Sequence, residues 1–111
     1  MYDERLAERV RKSLAGRKKV TERRMFGGVA FMLDGKMFCG VINDDLVIRT
    51  GPESYERALA KPHARPMDFT GRPMRGFVYV GSGGCKTGKT LSAWVDSGIK
   101  YVVSLKKETD T

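Results

Sequence analysis

A chain of 111 residues with 21 Lys and Arg against 13 Asp and Glu carries a net charge of +8, is long enough for one domain burying roughly 65% of its unfolded surface, and leans toward polyanions or acidic protein surfaces. Two well-separated cysteines, neither in a Cys-x-x-Cys pair, argue against a disulfide scaffold and for a reducing, cytoplasmic setting. The charged start, Met1-Tyr2-Asp3-Glu4-Arg5, and a longest apolar run of Val29 to Leu33 signal neither export nor a membrane span.

In chain order, Leu6, Val10 and Leu14 recur every four residues with Tyr2 and Ala7 beside them, predicting an amphipathic helix from Tyr2 to Ala15 that Gly16 stops. Arg5, Arg9 and Lys12 share a neighbouring stripe, thickened by Arg11, Arg17, Lys18 and Lys19. It reads as a solvated face with pairs such as Glu8 with Lys12, or as a nucleic-acid surface.

Arg23 to Leu33 reads as extended chain interrupted by Gly27-Gly28, a site for a bulge or close backbone contact. Asp34-Gly35 is a strong two-residue hairpin turn into Lys36 to Ile42, and Asn43-Asp44-Asp45 turns the chain into Leu46 to Arg49, giving a three-stranded meander. These strands are apolar on both faces, so the second face needs a cover, from a second subunit or from helices and loops of the same chain.

Gly51-Pro52-Glu53 opens a helix with Tyr55, Ala58 and Leu59 inward, ended by Lys61-Pro62. Met67 to Phe69 and Met74 to Val80 follow as strands. Leu91, Trp94, Val95, Ile99, Val102 and Val103 then mark a long final helix before a charged tail from Lys106. Grouped strands favour an α+β fold, a mostly antiparallel sheet with helices on one face.

Gly83 to Thr90 satisfies the phosphate-loop pattern G-x-x-x-x-G-K-[ST] between a strand and a helix. That loop works in a parallel sheet, and the residues after Thr90 hold a helix and a tail with no strand to return to. Asp34 is explained by its hairpin. Nucleotide binding at 83–90 is therefore the minor reading, and Lys86 and Lys89 remain an anion-binding corner or two solvated lysines. His63, between prolines without ligand-spaced partners, predicts no metal site. Cys39 belongs to the core, Cys85 is expected exposed and reactive beside Lys86, and Trp94 with Met25, Met32 and Met37 reads as core packing.

Arg24-Met25-Phe26-Gly27-Gly28, the hairpin after it, Leu46 to Arg49, Pro66 to Phe69 and the late Trp94 together resemble the N-terminal domain of the TfoX/Sxy family over nearly the whole chain. The resemblance implies a two-layer α-β(3)-α-β(2)-α domain, here 1–111, with a shape like that of dimeric secretion chaperones. It also implies a tie to competence-gene regulation beside the cyclic-AMP receptor protein; the helical second domain of the full regulators is absent from this sequence. No catalytic residues come with it.

The resulting expectation is a cytoplasmic, non-catalytic regulatory domain without cofactor or metal. It would pair as a homodimer and bind a protein partner, such as transcription machinery, through Arg24, Met25, Phe26, Gly27 and Gly28. The alternative is a nucleic-acid module with Arg5, Arg9, Lys12, Lys18, Lys19, Lys86 and Lys89 on phosphates.

Overall fold

Asp3 caps the first helix, α1 (Glu4–Ser13), its carboxylate accepting the Leu6 N–H at 3.1 Å and so satisfying a donor that a helix start leaves without a partner. Tyr2, expected inside this helix, bridges instead to Asn43. The computed structural model describes residues 2–25, 27–68 and 71–109, with the side chains of 106–109 left aside. Beyond α1 it contains β1 (Val20–Met25), β2 (Gly28–Leu33), β3 (Lys36–Ile42), β4 (Asp45–Arg49), α2 (Tyr55–Leu59), β5 (Ala64–Pro66), β6 (Phe77–Val80), a 3-10 turn (Ser82–Cys85) and α3 (Gly88–Thr109).

The strands form one antiparallel sheet in the order β1-β2-β3-β4-β6-β5, so the fold is α+β. The segment expected as one interrupted strand is two. Met25 pairs with Gly28, so Gly27 (φ 74) lies in a tight turn rather than a bulge, and the meander has four strands. The bulge lies further on: Phe31 faces Cys39 and Met32 faces Met37, which leaves Phe38 as the extra residue and turns it and Cys39 alike into the core. Asp34 and Gly35 form the expected turn with φ of 55° and 81°, the signs that a primed hairpin turn needs.

Three other boundaries move. Pro52 to Ser54 precede α2 rather than open it, and the strand before the β6 turn is Ala64–Pro66, not Met67 onward, with Phe69 outside the described residues. The final strand starts at Phe77 rather than Met74. The last helix continues through Lys106 and Lys107 to Thr109.

All three helices pack on one face of the sheet. Leu6, Ala7 and Val10 of α1, Tyr55 and Ala58 of α2, and Leu91, Trp94, Val95, Ile99 and Val102 of α3 meet Val29, Phe31, Phe38, Val41, Leu46, Ile48, Val78 and Val80. Each such large apolar side chain, fully buried, contributes roughly 1.5–3 kcal/mol. On the opposite face Ile42, Val47, Met67 and Tyr79 form a second buried cluster, flanked by Met37, Met74 and Phe77. Part of that face is thus covered by the chain's own segment between β5 and β6. Among the described residues no helix is long and apolar enough to cross a membrane.

Candidate functional site

Arg24 and Met25 of the signature sit at the free edge of the sheet. β1 is an edge strand, and Glu22, Arg23 and Arg24 are exposed on it, charges that discourage edge-to-edge pairing. Arg24 lies on the helix-side face with Glu22, whose carboxylate accepts from Arg11 at 2.8 and 2.9 Å; Arg23 and the half-buried Met25 lie on the other. Gly28 is buried because its α-carbon lies against the backbone of β3: a Cβ there would overlap the Val41 carbonyl oxygen. Gly27 has open space around it, and Phe26 lies outside the described residues.

Arg9 of α1 reaches the loop before α3 although 76 positions separate it from Cys85. Arg9 Nη2 donates to the carbonyl oxygens of Cys85 and Lys86 at 2.8 and 2.9 Å. Arg9 is therefore spent on the fold, while Arg5, Lys12, Lys86 and Lys89 stay exposed. Glu8 pairs with Arg11 at 3.1 Å rather than with Lys12. Lys18 and Lys19 are exposed in the turn before β1, at the other end of α1, Lys19 with a φ of 69°.

The loop that matches the phosphate pattern uses its polar groups internally. Thr87 and Thr90 cap each other, each hydroxyl oxygen accepting the other's backbone N–H, at 3.0 Å for Thr90 N–H and 3.3 Å for Thr87 N–H. Gly83 and Gly84 are needed for packing, since Cβ atoms there would meet the His63 imidazole and Val80. The strand leading into the loop, β6, is antiparallel to both its neighbours. His63 itself is exposed, in a left-handed conformation with φ of 68°.

Cys85, expected exposed, is buried with 1% of its surface accessible. The 3-10 turn folds its thiol inward, and Arg9 closes the loop from outside. Burial pushes the Cys85 thiol up, with Arg9 opposing, and drives that of Cys39 far above the usual range. Above about pH 8.5, the value for an unfolded chain, the unfolded state loses thiol protons that the fold retains, so stability falls as pH rises. At pH 8 iodoacetamide is expected to alkylate Cys85 more slowly in the native protein than in urea, since the thiolate is the nucleophile and the folded thiol is buried. Equal rates, followed by mass spectrometry, would contradict the burial.

The second sheet face holds what the sequence reading had assigned to the core. By strand alternation Met25 and Met32 lie on it, and Met37, Met67 and Met74 join the second cluster; Met67 is buried while the other four are half-buried. One register row crosses all six strands here: Arg23, Ala30, Gly40, Val47, Tyr79, Arg65. Its middle is small, and Met37 Cε leans over Gly40. Arg65 spans β6 to reach Asp45 with both terminal nitrogens, at 3.1 and 2.5 Å, its guanidinium 4.9 Å from the Tyr79 ring centroid. Sequence reasoning passed over Arg65. The signal available was its position in the strand that pairs with Phe77 to Val80.

A two-layer antiparallel α+β domain with a basic helix-side corner and a methionine-bearing sheet face is the class of protein these features define. The family model of the TfoX N-terminal domain matches residues 12–101, and the chain belongs to that family. No curated protein and no solved structure matches the chain closely enough to be counted.

Proposed function

We propose that the chain is a non-catalytic regulatory domain, akin to the N-terminal part of competence regulators, that acts through protein–protein contacts on the uncovered part of its second sheet face. The observation behind this reading is that five methionines from four separate segments gather there, four of them half-buried. Methionine is flexible and polarizable and suits surfaces that adapt to a partner. Exposed Arg23 at one end of the row favours an acidic group on that partner's rim, while Arg65 at the other end is paired with Asp45. A second copy of the chain is one such partner, which makes the homodimer part of the proposal, and transcription machinery is another.

Met32→Lys tests it. The substitution is expected to leave the fold intact and to cut capture of a nuclease-resistant partner from the native cell lysate about tenfold or more, the effect of burying an unpaired charge in an interface. Light scattering should give twice the monomer mass for the parent chain. Retained capture in the variant, or a monomer at high concentration, would overturn the corresponding part.

The nucleic-acid alternative draws on exposed Arg5, Lys12, Lys86 and Lys89, with Arg9 tying α1 to the loop that carries Lys86. Its mark in the same capture is loss of every partner on nuclease treatment, with steep salt dependence.

A further inference from the structure

On the helix side, remote from the methionines, a cleft of 670 Å³ opens between α2 and α3. Its size falls in the range of small-molecule sites. Three cations line it, Arg57, Lys61 and Lys100, against one carboxylate, Glu53. The ion pairs among the described residues are made by Arg11 and Arg65 and leave these three cations unpaired.

The two aromatic side chains beside the cleft are held in place. Trp94, 7% exposed, has Lys61 Nζ 4.9 Å from its ring centroid. The Tyr101 ring lies directly on the Gly51 backbone, where any Cβ would overlap it, and Arg49 stacks on it at 5.3 Å. Arg49 in turn lies 5.7 Å from the Phe77 ring, which ties the Tyr101 wall to the sheet. Arg57 donates to the Ser54 hydroxyl oxygen at 3.3 Å, leaving that hydroxyl its own O–H to donate.

A cleft with an apolar lining and three cations that make no ion pair among the described residues selects a ligand with an apolar body and a negative charge. The geometry points to this cleft as a binding site for a small organic anion, whose apolar body lies along Pro52, Ala58 and Leu105 and whose charged group meets Arg57, Lys61 and Lys100. A neutral apolar molecule would gain the apolar lining but leave the cations without a partner; a free inorganic anion would gain the cations and leave the apolar lining wet.

Trp94 is the chain's single tryptophan, so its emission reports on the cleft directly. The test titrates the full chain with 1-anilinonaphthalene-8-sulfonate and, in parallel, with the neutral N-phenyl-1-naphthylamine, which lacks the sulfonate. The sulfonate probe is expected to bind one per chain, to quench Trp94 by energy transfer, and to bind about tenfold more tightly than the neutral probe, as expected for a charge-assisted contact. Arg57→Gln with Lys100→Gln, exposed positions neither of which is the cation over Trp94, should weaken the sulfonate probe about tenfold and leave the neutral one unchanged. Equal affinity for the two probes, unaltered sulfonate binding in the double variant, or Trp94 emission indifferent to saturating probe would each overturn the assignment.

Discussion

Gly28→Ala is expected to cost about 3 kcal/mol of stability, near the top of the usual range for overpacking, whereas Gly27→Ala next to it costs about 1 kcal/mol. The two glycines stand side by side in the signature segment and are required for different reasons. Gly28 sits where β2 closes on β3, and a methyl group there would overlap the Val41 carbonyl and press on Ile42. Relief means parting two strands that hold Val29, Phe31, Phe38 and Val41 in the core. Gly27 has room for a methyl group, and only its φ of 74° opposes one. Urea unfolding with a shared slope measures both losses. If the two variants lose the same amount, the close approach of the strands is not what makes Gly28 necessary.

Trp94→Ala should cost about 3–5 kcal/mol, as truncation of a buried aromatic does, and Trp94→Phe distinctly less. Trp94 belongs to the main core with Val95 and Ile99, yet it also forms a wall of the α2–α3 cleft beneath Lys61. The magnitudes separate these roles: an exposed cation over an indole contributes about 0.5–1 kcal/mol, so the core term dominates. A double-mutant cycle with Lys61→Ala is expected to return a coupling of that smaller size. A total loss below about 1 kcal/mol for Trp94→Ala would mean that the ring is not packed as described.

The parts of the fold that were legible in the sequence were those where local chemistry and burial agree. Asp34-Gly35 suits a primed turn whatever surrounds it, and Leu6, Val10 and Leu14 on one side with charges on the other determine α1. The β1–β2 hairpin was not legible because Thr21 to Arg24 are exposed on an edge strand and show no apolar alternation, while the paired glycines suggested a bulge. Met67 to Phe69 looked like a strand because two of its three residues are large and apolar, but Met67 is buried from a loop as cover for the second face.

Site residues were readable by type and not by company. The loop lysines and the α1 stripe were visible separately, and nothing local says that Arg9 joins them or that Cys85, flanked by Gly and Lys, turns inward. Arg57, Lys61 and Lys100 were passed over because they are scattered between a short helix, its exit and the final helix. The available hint was Trp94 and Tyr101, seven apart and hence on one face of α3, with Lys100 beside them.

The bond from Arg9 to the loop also determines where this chain can be cut. The match to the family covers residues 12–101, and a fragment trimmed to that boundary would discard Leu6, Ala7 and Val10 from the core along with the guanidinium that holds the Cys85 and Lys86 carbonyls. The matched region of this chain is therefore shorter than the piece that packs around its core. An excised fragment for binding work must keep the helix that the recognisable pattern leaves out.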